Sequence, residues 1–321
     1  MTEPRRDPYQ PYRQAMLTPA RVKELSRVRP GRVVRDVVLA WTVIISAWAV
    51  AAWARSPIVT IFALVIVGTR YYALFIIGHD GLHRRLFVSR ETNDRFCDLF
   101  VLGPIGAIPR VNNRNHIGHH QHLATDRDPD RHKHACFNKA DLMEFLGYLS
   151  GFTSIVTSIR HVFFVSGRAP SDESRDDGYR VADLVSLVVV QLALVAGLTW
   201  TFGWWGWPLM WAAPVYTFTY LGDSIRSFAE HSHPQADHLA DEHRLLTYVS
   251  NPIERMFFAP MHMNFHAAHH LWTSIPYYNL PAADREMRAH PLAAELEWRR
   301  SYAGYLLRYA MALPLDECRI K

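Results

Sequence analysis

Cysteine is scarce. Cys97, Cys136 and Cys318 are the three in 321 residues, too few for a disulfide framework or a cysteine-based zinc ribbon. Neither sign of charge dominates. The 35 Lys and Arg against 30 Asp and Glu leave +5, which without a concentrated basic patch makes no case for nucleic acid as a partner. The first forty residues are polar and rich in Pro and Arg, so no cleavable signal peptide is expected there. HExxH is missing, which argues against a zinc metalloprotease, and so is any pair of Glu-x-x-His motifs of the soluble carboxylate di-iron bundle. With no CxxCH and no GxGxxG in a strand-turn-helix context, no fused haem or flavin domain is expected either.

What the chain does have is long uncharged runs and histidine. The mean hydropathy of -0.08 averages strongly apolar blocks with strongly polar ones. Val37 to Ala54 and Ile58 to Gly78 read as two membrane crossings joined by Arg55-Ser56-Pro57, and Leu184 to Phe202 with Trp204 to Gly222 as a second hairpin. Arg70 interrupts the second run, and an intramembrane charge marks a candidate for function. The tryptophans from Trp200 to Trp211 read as an interfacial belt. Leu99 to Ile108 is too short to cross and Phe145 to Ile159 too short and polar, so a re-entrant and an interfacial segment are expected. Basic residues number 9 in residues 1–36, 14 in 79–180 and 10 in 223–321, which places those segments, both termini included, in the cytoplasm. The expected organisation is a cytosolic N-terminal segment (1–36) and one membrane domain (37–321). It is an all-α protein of four transmembrane helices whose helical cytosolic cap comes from 79–180 and 223–321.

All eighteen histidines fall outside those four spans, on the cytoplasmic side. Three clusters have helical spacing: HDGLH (His79, His83), HIGHH (His116, His119, His120) and HAAHH (His266, His269, His270). Separations of three and four put imidazoles on one helix face, close enough to converge on one metal or on neighbouring metals. Eight imidazoles exceed what one ion uses while keeping a position open for substrate or oxygen, so two ions are expected; ligand softness alone admits Zn, Cu, Fe or Ni.

These boxes resemble the integral-membrane fatty acid desaturase and hydroxylase superfamily across roughly residues 40 to 300. HHLWTSIPYYNLP after the third box and DPD (Asp128 to Asp130) after the second strengthen the likeness. The resemblance implies four transmembrane helices with a cytosolic cap and a non-haem di-iron centre that activates O2. Its implied iron ligands are His79, His83, His116, His119, His120, His266, His269 and His270. His231, in SIRSFAEHSHP, is similar to the family's ninth ligand. The chain departs from the family pattern at Ser227, where the acyl-CoA branch has Asn, and at Thr273, where Pro is common.

Asp80, Asp223, Glu230 and Asn264 are placed to orient imidazole N–H groups, with capping or solvation as the alternative. His122, His233 and His262 lie near ligands and are read as solvent-facing or packing residues; His132, His134, His161, His238, His243 and His290 are read as surface residues. The implied activity is an oxidoreductase that desaturates a fatty-acyl or related lipid chain, drawing electrons from a separate ferredoxin or cytochrome-type donor. A hydroxylase or ketolase of the same superfamily is the alternative. A histidine-rich membrane metal-binding or transport protein is more distant, because ionisable ligands of transporters usually sit within the spans.

Overall fold

The computed structural model describes residues 9–123, 127–134, 139–151, 181–232 and 245–315. Two short helices, α1 (Gln10–Ala15) and α2 (Pro19–Leu25), precede the long α3 (Pro30–Ala54) and α4 (Pro57–Leu82). Both long helices start on proline, whose fixed φ suits the first helical position and whose missing N–H is no loss there. Arg55 closes α3 in the left-handed region (φ +48°), and Pro57 restarts the chain as α4. The buried residues of α3 are Val33, Val37, Ala40, Ile44, Ala47 and Ala51, a stripe of alternating three- and four-residue steps that packs on α4. Its other face exposes Val38, Leu39, Ile45 and Trp53, a surface stable in lipid and not in water. Beyond Tyr71, α4 is buried almost throughout and becomes the innermost element.

Next come α5 (Arg90–Phe96), a π-helical turn (Cys97–Val101), a 3-10 turn (Gly103–Ile105), α6 (Pro109–His122), α7 (Arg131–His134) and α8 (Leu142–Leu149). The expected re-entrant stretch is thus irregular. Its carbonyls accept side-chain donors, as backbone inside an apolar layer requires: Gln191 Nε2 on Gly103 at 2.8 Å, Trp211 Nε1 on Pro104 at 2.6 Å and the Tyr220 hydroxyl on Ile105 at 3.0 Å. The α8 helix covers only the first part of the apolar stretch from Phe145, and 152–159 lie outside the described residues.

The third long helix, α9 (Val181–Phe202), ends at Gly203 (φ +76°). At Gly206 a Cβ would stand 2.1 Å from the Leu198 carbonyl oxygen, so only glycine closes this hairpin. Helical turns then run on through π-helical segments Pro208–Ala212 and Val215–Tyr220 into α10 (Leu221–His231). Among the described residues three helices, α3, α4 and α9, are long and apolar enough to cross a membrane. The fourth expected crossing falls where the π segments lie. Trp200, Trp204 and Trp205 are exposed as a belt requires, whereas Trp211 is buried on Pro104 and is structural.

One element departs from all-α. Strands β1 (Leu246–Tyr248) and β2 (Glu297–Arg299) pair in parallel, with Thr247 opposite Trp298. Around them sit α11 (Pro252–Phe258), α12 (His266–Leu271), α13 (Leu280–Ala289) and α14 (Tyr302–Ala312). The N-terminal stretch packs here: Tyr9, Tyr12, Met16, Leu17 and Leu25 are buried with Ala267, Leu271, Trp272 and Leu280. Tyr12 donates to Glu295 (2.9 Å), and Arg21 grips Glu286 through Nε and a terminal nitrogen (2.9 and 2.7 Å).

Candidate metal centre

Four elements deliver nine histidines to one place. His79 and His83 sit on the last turn and the C-cap of α4, and His116, His119 and His120 on α6. His231 ends α10, and His266, His269 and His270 make up half of α12. Each HxxHH box is divided between two clusters. A helix turns 100° per residue, so ligands three and four apart flank a common line and face different neighbours. His79, His83, His116, His120 and His269 form one cluster, their ligating atoms all within 4.8 Å of one another. His119, His231 and His270 form a second on the same criterion, and His266 joins it with Nε2 2.9 Å from His231 Nε2. The clusters adjoin, with the His120 and His270 rings 4.1 Å apart.

This donor set suits metal ions. Burial first, then the neighbouring imidazoles, holds His116, His120, His266, His269 and His270 well below the usual histidine range. Burial and Arg85 bring His83 down to about 3. All are therefore neutral near pH 7, the form that ligates. The Nε2 atoms of His83, His116, His120 and His269 run in a chain at 2.8, 3.0 and 3.1 Å. Each Nε2 offers one hydrogen or one lone pair, yet His116 and His120 must each serve two neighbours; a cation among them satisfies every lone pair at once. His270 Nε2 is buried with no hydrogen-bond partner, as an unfilled ligand would be.

Behind the imidazoles the acidic residues behave differently from one another. Glu230 Oε2 lies 3.2 Å from His266 Nδ1, while Glu230 also accepts from Arg226 and the Tyr302 hydroxyl, each at 2.6 Å. Asp80 instead accepts the Tyr277 backbone N–H (2.6 Å), Asp223 pairs with Arg226 (2.7 Å), and Asn264 donates to the Tyr248 carbonyl (2.8 Å). The carboxylate that meets His119 is Asp128, at 2.9 Å from Nδ1. Burial works against ionisation of Asp128, but the hydrogen bonds with His119 and His134 outweigh it and hold the carboxyl well below the usual range.

His134 corrects the sequence reading. Read as a surface residue, it is fully buried with Nε2 2.9 Å from Asp128. The DPD run carried the signal, because Asp128 and the short α7 that follows bring residue 134 back to the site. His290 is half-buried and caps the turn that starts at Pro291 by accepting from Leu292 N (3.2 Å). His262 is exposed and His122 half-buried, and neither is in a cluster; His161, His233, His238 and His243 lie outside the described residues. Arg226 and Tyr302, which hold Glu230, had no motif to mark them.

A cavity of about 260 Å³ opens against the histidines. His79, His116, His119, His231 and His266 line it together with the apolar Phe75, Leu82, Leu102 and Ala107 and the charged Asp130, Lys133, Asp223 and Arg226. Ser227 lines it as well.

The fatty acid desaturase family profile matches residues 55–302, which include all nine histidines. An sn-1 oleoyl-lipid 12-desaturase of Anabaena variabilis is 27% identical over 85% of this chain and 78% of its own. An sn-1 acyl-lipid omega-3 desaturase (ferredoxin) of Nostoc sp. (strain 36) is 21% identical over 75% and 70%. A beta-carotene ketolase of Paracoccus sp. (strain PC1) is 22% identical over 76% and 88%. With its three histidine boxes gathered around one cavity, this chain belongs to the fatty acid desaturase family.

Proposed function

We propose that the protein is a membrane oxidoreductase that uses O2 and two external electrons to introduce a C=C bond into a fatty-acyl or related lipid chain. Two adjoining clusters of imidazoles beside a cavity lined in part by apolar side chains carry this reading. His79, His83, His116, His120 and His269 would hold one iron, and His119, His231, His266 and His270 the other. Such a non-haem di-iron centre, when bound, supplies the oxidising power for hydrogen removal from an unactivated C–H bond. The chain supplies placement: Phe75, Leu82 and Leu102 seat a hydrocarbon against the histidines, and these apolar side chains keep water from the reacting carbon.

The proposed setting is four crossings, with the π-containing run before α10 as the last, and with both termini and the metal centre on the cytoplasmic side. Residues 37–321 form the membrane domain, against which the N-terminal segment packs. A separate ferredoxin-type donor supplies the electrons in this reading, and two of the relatives are named as ferredoxin-linked. Expression of the intact protein and of His269→Ala, followed by lipid and metabolite profiling, tests the reading. A product two hydrogens lighter, absent with the variant, is expected; unchanged lipids beside a modified non-lipid metabolite would overturn the lipid-chain assignment. The ketolase among the relatives favours oxygen insertion as the second reading, which a product heavier by one oxygen identifies.

A further inference from the structure

His134 and Asp128 are buried residues with no part in the ligand set, yet they reach it directly. Both side chains have no solvent exposure, and the two Asp128 oxygens are divided between two imidazoles, His119 Nδ1 on one and His134 Nε2 on the other, each at 2.9 Å. The Asp130 backbone N–H donates to the same oxygen that meets His119 (2.8 Å) and fixes the carboxylate from a third direction. A carboxylate at Nδ1 keeps the proton on that nitrogen and leaves a lone pair on His119 Nε2, which faces His231 Nε2 at 3.2 Å inside the four-histidine cluster. The two clusters differ here. The outer nitrogens of His79, His120 and His269 in the five-histidine cluster are buried with no hydrogen-bond partner, as is that of His266 in the other, whereas His119 Nδ1 has Asp128. Asp128 thus hydrogen-bonds a ligand of the cluster with one imidazole fewer, where Glu230 lies 3.2 Å from His266 Nδ1 without hydrogen-bonding it.

Resting on the di-iron reading above, we propose that His134 is a positioning residue: through Asp128 it locks the tautomer and ring plane of His119 and so strengthens metal binding at the four-histidine site alone. Carboxylate-backed imidazoles are the stronger donors, which offsets that site's smaller ligand count.

The test uses the full-length protein in detergent, loaded anaerobically with ferrous iron. Iron content, affinity by chelator competition and the Mössbauer spectrum are compared for wild type, His134→Ala and His134→Gln, with metal-free melting of each as the folding control. Two irons are expected in the wild type. In His134→Ala one of them weakens by about 10- to 100-fold, the usual effect of losing such a partner, and only one of the two iron signals changes. His134→Gln, whose amide N–H still reaches Asp128, recovers most of that affinity and melts, metal-free, close to the wild type. The proposal is overturned if His134→Ala keeps both irons at wild-type affinity, or if both weaken together with a lowered metal-free melting point. It also fails if His134→Gln binds no better than His134→Ala. A wild-type protein that takes up no iron refutes the di-iron reading itself, and the positioning role with it.

Discussion

Packing neutral imidazoles into one buried site makes the metal-free protein acid-labile, by an amount that follows from the titration of those groups. His83, His116, His120, His266, His269 and His270 are each held below the ordinary histidine range, chiefly by burial. In the unfolded chain the same side chains take up protons near pH 6.5. Between that value and their lowered folded values the unfolded chain binds more protons, so stability is full above about pH 6.5 and falls as pH falls. From about pH 7.5 to about pH 5.5 each group contributes roughly 1.4 kcal/mol of destabilisation, and six together about 8 kcal/mol, comparable to the whole stability of a typical domain. The assay is chemical unfolding of chelator-treated protein in detergent across that interval, with iron-loaded protein beside it. Bound metal occupies the lone pairs, so the loaded protein holds its midpoint until protons displace the ion. A metal-free midpoint flat to within about 1 kcal/mol would refute the reasoning, since it would mean that the imidazoles are hydrated or already protonated at neutral pH.

Gly206→Ala drives a Cβ into the Leu198 carbonyl and is expected to destabilise by about 1–3 kcal/mol, whereas Gly197→Ala, with nothing within 4 Å, stays within about 0.5 kcal/mol; paired thermal melts compare them. Arg110→Ala removes the guanidinium that stands 3.1 Å from Asp183 and 3.4 Å from Asp94, both buried. A loss of about 3–5 kcal/mol is expected on chemical unfolding, and a loss under about 1 kcal/mol would show the pair to be hydrated. Deleting residues 9–29 uncovers Ala267, Ala268 and Leu271 beside the third histidine box. Iron content after purification should fall while the spanning helices still insert, and wild-type iron content in the truncated protein would contradict the packing role.

Much of this was legible in the sequence because it is local. Uncharged runs of membrane length become helices wherever the backbone must satisfy itself, and α3, α4 and α9 lie where those runs are. The boxes were legible because helical spacing survives in sequence. Spacing does not report rotation about the helix axis relative to a neighbour, and for that reason the division of each HxxHH between two clusters required the fold. His134 was hidden because its importance comes from contact with Asp128 and not from a repeat of its own. Trp211 was misread for a related reason: an apolar aromatic beside exposed tryptophans matches a belt by composition, and its donor role depends on a carbonyl more than a hundred residues away. The parallel pairing of two three-residue strands, one on either side of α11, α12 and α13, left no periodic trace.

The packing of the N-terminal stretch on the third box bears on how the protein is made. Tyr12 emerges early in synthesis, but its partner Glu295 lies 283 residues further along the chain, and Leu25 waits for Asn279, which donates to its carbonyl at 2.6 Å. His79 likewise precedes His269 by most of the chain. Neither cluster can close, and the strap across it cannot seat, until the last long helix and α12 have both been made. The decisive step of assembly therefore comes late in synthesis. The four ligand-bearing elements can meet only once α12 has been made, and the residues synthesised first are among the last to find their place.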